Sequence, residues 1–381
     1  MTERYSSAHV LLAEAVEQTG LSDFGAGDFR EGLEVLLESL RRDAGLAPST
    51  DARVLGDLRR RLVNRLDVEA WYRDHPAIEE LAVRGPVDVM GLPRTGTTAL
   101  ANMLSLDPQF RCLRGWEQKY PCPPPTTAGE ATDPRLLEAI AEHDARPPQL
   151  RAMHLYDVHA TMEDSDVLGM AFHGQQYTLP VYGYHAWWRA ADCTPTFAYH
   201  RRITTLLQSQ RPPDLWLFKA PHHKFHLESI VAAYPDARFV MTHRDPTKVV
   251  PSYASLVSAL FPTPERDHDM HRLGRELSVH LREGMERAIA ARQRIGENRF
   301  LDVHHRDLNT DPLGTVHRVY AFLGLELRPD AEVAMRDWHD ANRTGAHGTH
   351  RYTAEQFGLS TAQLRSEFDF YIHHFDVDVE G

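Results

Sequence analysis

The stretch Val87-Asp-Val-Met-Gly-Leu-Pro-Arg-Thr-Gly-Thr-Thr-Ala-Leu100 decides how the rest of the chain reads. Val87 to Met90 has the composition of a short buried strand, Gly91 to Gly96 reads as a loop, and a helix opens at Thr97 and Thr98. A loop between a strand and a helix N-terminus aims several backbone N–H groups at one point, and the helix dipole adds partial positive charge there. Such a point favours an anion, typically a phosphate. Gly91 and Gly96 let the backbone turn tightly and approach a ligand closely.

The spacing almost matches the Walker A pattern G-x-x-x-x-G-K-[ST]. It departs where Thr97 follows the second glycine in place of lysine, and the nearby cation, Arg94, lies earlier in the loop. A nucleoside triphosphate with magnesium relies on that lysine at its β- and γ-phosphates. Its replacement points to a different phosphate ligand, handled without a metal.

At 381 residues the chain has room for one large α/β domain with additions, or for two domains. A hydrophobic share of 42% and a charged share of 25% are ordinary for a globular protein. The formal charge of -12 argues against a nucleic-acid partner, so local arginines must catch any anionic ligand. Cys112, Cys122 and Cys193 show neither metal-ligand spacing nor an even disulfide framework, which fits a reducing, cytoplasmic setting. The N-terminus lacks a basic region followed by an apolar run, and no apolar stretch is long enough to span a bilayer.

Residues 8 to 84 read as helical, with apolar positions at helical spacing in Leu33, Leu36, Leu37 and Leu40 and again in Val54, Leu58, Leu62 and Leu66. This front section (1–84) is expected to pack on the sheet or to build a homo-oligomer contact. A polar helix is expected near 134–145 and another over 150–170, which carries Met162-Glu-Asp-Ser-Asp166. Residues 172–199 are dense in aromatics: core packing accounts for most of them, and an aromatic cleft for a small molecule remains open. Leu215–Phe218 and Ala237–Arg244 read as further strands, each followed by a helix, and Arg299–Val303 as another. A long charged helix is expected over 264–296, one from Asp311-Pro312 to Leu323, and, after Phe357-Gly358-Leu359, a terminal one to about His374. Strand–helix alternation at this spacing means βαβ units. The expected fold is α/β, a P-loop-like three-layer arrangement with a central, mostly parallel sheet flanked by helices. The expected division is a helical N-terminal extension (1–84) and an α/β domain (85–381) with an acceptor-pocket insertion around 120–210. In such sheets ligands bind beyond the carboxyl ends of the strands, which puts Gly91–Gly96, Lys219–His223 and Arg244 on one rim.

Together these motifs resemble the sulfotransferases that use 3′-phosphoadenosine 5′-phosphosulfate (PAPS), in particular the bacterial branch with a helical N-terminal extension. Leu92-Pro-Arg-Thr-Gly-Thr-Thr98 resembles the family loop that holds the 5′-phosphosulfate, with Arg94 at its basic position and Thr95 at its serine position. Arg244, with Ser252 eight residues on, resembles the 3′-phosphate site. Lys219-Ala-Pro-His-His223 resembles the K-x-P-x-H element. The resemblance covers roughly residues 20 to 375.

What it implies is concrete. Arg94, the backbone N–H groups of Thr95, Gly96, Thr97 and Thr98 and the threonine hydroxyls would receive the charge that builds on the departing phosphate. Lys219 would stabilise the bridging oxygen, and Arg244 and Ser252 would fix the 3′-phosphate. The polar loop around Gly345–Tyr352 resembles a segment that closes over the nucleotide, which makes His350, Arg351 and Tyr352 candidate contacts. By the family spacing the general base is His223, with Glu163 as the rival. The cosubstrate is then PAPS and its product 3′-phosphoadenosine 5′-phosphate (PAP), with no metal, and the acceptor a small hydroxylated molecule. Two other classes remain open: a P-loop nucleotide kinase or NTPase, which would require magnesium-dependent ATP binding, and a non-catalytic binder that retains the fold.

Overall fold

The computed structural model describes residues 7–380 apart from 28, 146–157, 177, 262–266 and 343–351. Five strands form one sheet: β1 Val87–Gly91, β2 Phe110–Cys112, β3 Leu215–Lys219, β4 Arg238–His243 and β5 Phe300–His304, in the order β2-β3-β1-β4-β5. Every pairing is parallel. The chain leaves β1 for the β2 edge, returns through β3, then crosses to β4 and β5. The strand order therefore reverses beside β1, and the crevice at such a reversal is where ligands of these sheets bind.

Both faces of the sheet are covered, which is why its strands read as near-continuous apolar runs. Val87, Val89, Leu217, Val240 and Val303 bury one face against Leu100, Met103, Leu104, Val316 and Val319. Met90, Phe218, Phe239 and Met241 bury the other against Ile203, Tyr234, Val250 and Leu281. Side chains alternate across a strand. Asp88 thus shares the face of Met90, a fully buried carboxylate in an apolar layer.

The front section is helical, as Ala8–Thr19, Phe29–Ser39 and Pro48–Asp74. It packs mainly against the aromatic segment and less on the sheet: Leu33, Leu36, Leu58 and Leu62 share a core with Phe172, Tyr184, Trp188 and Phe225. Arg65 ties the two together, its buried guanidinium donating to the carbonyls of Phe24, Ala26 and Met170.

Several element bounds differ from the sequence expectation. Of the helix expected over 150–170, 146–157 lie outside the described residues, 158–164 are non-helical, and only Ser165–Met170 is helical. The long charged helix begins at Met270, and the terminal one is split into Thr361–Glu367 and Asp369–Phe375. His226, expected on a helix, caps the one over Leu227–Ala233.

Candidate active site

The loop after β1 has the geometry its glycines allow. Gly91 has φ 132° and Gly96 φ 101°, and Arg94 between them is itself left-handed at φ 64°. A Cβ on Gly91 would lie 2.5 Å from the Thr242 carbonyl oxygen of β4, so only glycine lets the two strands meet there. The helix Thr97–Leu104 starts directly after Gly96, which leaves its first N–H groups facing the loop. Thr95 departs from expectation: its fully buried hydroxyl donates to the Leu92 carbonyl at 2.7 Å and bonds the Thr242 hydroxyl. That hydroxyl braces the loop from within, so only the Thr95 backbone N–H remains for a ligand. His305 Nδ1 meets the Thr95 carbonyl at 3.1 Å and holds the loop from the β5 side.

The residues expected at the two anionic ends of one ligand come together. Arg94 Nε donates to Ser252 Oγ at 3.2 Å, and Arg244 Nη1 reaches the Arg94 carbonyl at 3.4 Å. Burial among these groups and the neighbouring Arg244 charge lower the pKa of Arg94 from its ordinary value, so an anion placed here relieves a repulsion. Ser252 and Lys248 lie one turn apart on the helix Pro246–Leu260, on the same face. The described side chain of Tyr352 acts electrostatically on Arg94, which brings it to the same place. His350 and Arg351 lie outside the described residues.

Lys219 ends β3, where it pairs with Val89 of β1, and its buried ammonium donates to Glu163 Oε1 at 3.0 Å. Two residues 56 positions apart, both singled out for chemistry, thus form one ion pair. The Gln118 side chain bonds the Glu163 carbonyl at 2.9 Å and fixes its backbone.

His223 sits beneath this pair with both ring nitrogens engaged. Nδ1 lies 2.7 Å from Asp88 Oδ2 and Nε2 lies 2.7 Å from Asp164 Oδ2. Burial opposes the charge on the ring, but the two carboxylates outweigh it and raise the pKa to about 10. His223 is therefore an imidazolium at neutral pH, with no free lone pair and only 1% of its surface exposed. This geometry is the opposite of what a general base needs. Asp164 is approached by His222 Nε2 at 3.0 Å and His200 Nε2 at 3.1 Å as well. Burial pushes its pKa up, His223 and His222 pull it down, and the balance lies well below the usual carboxylate range.

Ligand-type atoms of Asp164, His222 and His223 lie within 4.8 Å of one another, a grouping that no sequence spacing announced. Close ion-pair contact and the second carboxylate, Asp88, fit an imidazolium at the centre of this cluster.

Two cavities matter for an acceptor. One of about 380 Å³ is lined by Phe29, Trp187 and Tyr199 among others, but by none of the candidate catalytic residues. The other, of about 290 Å³, opens onto Glu163 between Trp116, Tyr120, Arg135 and Met162. The smaller one adjoins the chemistry, so the aromatic stretch 172–199 serves mainly as core. Phe172, Tyr184, Trp188 and Phe197 are all buried. Among the described residues no helix is long and apolar enough to cross a membrane.

Sequence reading missed Asp88 and Glu380, and it marked the acid run holding Asp164 without finding the histidines around that carboxylate. Asp88 did give a signal: an aspartate inside a strand buried on both faces must have a partner. Glu380, whose carboxylate meets Arg244 Nε at 2.7 Å and Nη2 at 3.0 Å, gave none.

Comparison with known proteins completes the picture. Residues 86–329 match the sulfotransferase family. The crystal structure of sulfotransferase STF9 from Mycobacterium avium superposes with a TM-score of 0.88 at 30% identity, over 99% of this chain and 98% of that one. STF1 from Mycobacterium tuberculosis H37Rv superposes at 0.84 and 31%, over 96% and 99%. A curated relative in Mycobacterium bovis, named omega-hydroxy-beta-dihydromenaquinone-9 sulfotransferase Stf3, is 25% identical over 266 residues, a match that spans 63% of each chain.

Proposed function

Since the chain belongs to the sulfotransferase family, we propose that it transfers the sulfonate of PAPS to a hydroxyl of a small-molecule acceptor, with Glu163 as the general base. The observation that carries this reading is the meeting of Arg94, Ser252 and Arg244 at the carboxyl ends of β1 and β4. One ligand with two anionic groups explains why two arginines are held together there. Arg244 already accepts an oxyanion: its guanidinium carries the Glu380 carboxylate side-on, in the geometry that also suits phosphate.

In this account the N–H groups at the start of the helix Thr97–Leu104, with Arg94, receive the 5′-phosphosulfate. Arg244 and Ser252 receive the 3′-phosphate. Lys219 stands ready to neutralise the oxygen on which negative charge develops as the S–O bond to the donor breaks. The acceptor enters the cleft beside Trp116 and Met162 and gives its hydroxyl proton to Glu163 as its oxygen bonds sulfur. Glu163 is preferred to His223 on two grounds. Its side chain is 19% exposed against 1% for His223, and His223 has no nitrogen free. His223 has a positioning role instead: it clamps Asp164 to Asp88 and so anchors the backbone that carries the adjacent Glu163.

The reading is tested by incubating the protein with isotopically labelled PAPS and a panel of hydroxylated compounds, with mass detection of products. A labelled sulfate ester supports it. Transfer of phosphate from magnesium–ATP instead would favour the kinase class.

A further inference from the structure

The residue expected to seize the 3′-phosphate is already holding a carboxylate from its own chain. Arg244 Nε and Nη2 donate to the two oxygens of Glu380 at 2.7 and 3.0 Å. This is the side-on, two-bond arrangement in which a guanidinium binds either carboxylate or phosphate. Nη1 is turned to the Arg94 carbonyl. A phosphate arriving at this fork must displace what is there.

The segment that brings Glu380 to Arg244 is built for the purpose. The helix Asp369–Phe375 ends at Asp376, which turns the chain through a left-handed conformation at φ 50°. Val377 then plugs the core at 6% exposure, and its N–H bonds the Ile372 carbonyl. Beyond that anchor the contacts are polar. Asp378 meets Arg306 at 2.6 Å, and the Glu380 N–H donates to Asp245 Oδ2 at 2.8 Å. Val379 between them is 52% exposed and holds nothing. Hydrogen bonding to Arg244 holds the Glu380 carboxyl below its usual range against a smaller effect of burial, and Arg244, His305 and Lys248 all favour its charge. In a chain of formal charge -12, this cationic basin is filled by an internal acid.

We propose that Asp376–Glu380 is an acidic strap that occupies the 3′-phosphate seat in the free protein and is displaced when the donor nucleotide binds. The inference rests on the reading of Arg244 as the 3′-phosphate contact. It makes Glu380 a competitor of the nucleotide. The pair is partly exposed, its side chains at 26% and 36%, so releasing it changes affinity modestly, about two- to fivefold.

Calorimetry on the full chain separates the two claims, with PAP and with adenosine 5′-phosphosulfate, which lacks the 3′-phosphate. Glu380→Gln is expected to tighten PAP about two- to fivefold and to leave adenosine 5′-phosphosulfate unchanged. In the wild type, hydrogen exchange over 376–380 is expected to rise when PAP is added. If Arg244→Ala weakens PAP while Glu380→Gln leaves it unchanged or weakens it, the strap is refuted and the phosphate seat stands. If Arg244→Ala does not weaken PAP, the seat itself is misplaced. Slower exchange over 376–380 with PAP bound would likewise overturn displacement.

Discussion

Arg94 Nε donates to Ser252 Oγ at 3.2 Å, across 158 residues of sequence. The contact joins the loop after β1 to the helix after β4, and so joins the two proposed anion sites that the sequence presents separately. If both grip one nucleotide, Ser252→Ala and Arg244→Ala should weaken PAP together. A hydrogen bond to a charged group contributes about 1.5–3 kcal/mol, so Arg244→Ala should raise Kd roughly 10- to 150-fold. Ser252→Ala should have a smaller effect of the same sign, and the acceptor KM should hardly move. Equal changes in nucleotide Kd and acceptor KM would contradict the assignment.

Glu163→Gln should lower kcat by about 10²- to 10⁴-fold, the usual contribution of a general base, with PAP affinity nearly unchanged. Steady-state rates and calorimetry on the same variant check this. Turnover within a fewfold of wild type would remove Glu163 from the mechanism.

His223 and Lys224 are sequence neighbours with opposite shifts, and this gives a pH test. Burial disfavours charge on both. At His223, Asp164 and Asp88 outweigh burial and the pKa rises from 6.5 to about 10. At Lys224, burial prevails and the pKa falls from 10.5 to about 7. Because the folded state binds the His223 proton more tightly, that contribution is whole below about pH 6.5 and is lost as pH rises toward 10. For Lys224 the unfolded chain binds the proton more tightly, so stability rises as pH climbs from about 7 to 10. The two slopes oppose each other in the wild type. Thermal melting at stepped pH should therefore tilt upward with pH in His223→Gln and downward in Lys224→Met. Slopes of the same sign in both variants would contradict the charge states assigned. His223→Gln should also lose about 3–5 kcal/mol at pH 7, since it leaves the buried Asp88 carboxylate unpaired.

The two loop glycines should differ in cost. A Cβ on Gly91 meets the Thr242 backbone, whereas one on Gly96 meets the Leu308 side-chain tip at 2.5 Å, which can move. Both positions have positive φ, so each alanine carries about 1–3 kcal/mol of backbone strain. Gly91→Ala should add a strand displacement and lower the melting temperature clearly more than Gly96→Ala. The reverse order would mean that the loop is not pinned against β4.

The sheet and its loop were legible because their signals are local: apolar runs, glycines at turns, and caps such as Asp311-Pro312. That Arg94 and Arg244 share a rim followed from element order, since parallel strands put their carboxyl ends on one side; Ser252 was added by the family resemblance. The base assignment was not legible in the same way. The family resemblance selects His223 but does not show Asp88 and Asp164, 135 and 59 residues away, which fix its proton. Thr95 was misread similarly, because whether its hydroxyl faces ligand or core depends on Thr242 of another strand. Glu380 lay beyond any sequence signal: an acid among acids near the end of the chain reads as solvated until its arginine is seen.

The most direct test of the central claim is a calorimetric titration of the wild-type protein with PAP, without added magnesium. The account predicts saturable one-to-one binding that magnesium–ATP does not displace and that Arg244→Ala weakens. No heat of binding in the wild type, or binding that Arg244→Ala leaves intact, would contradict it.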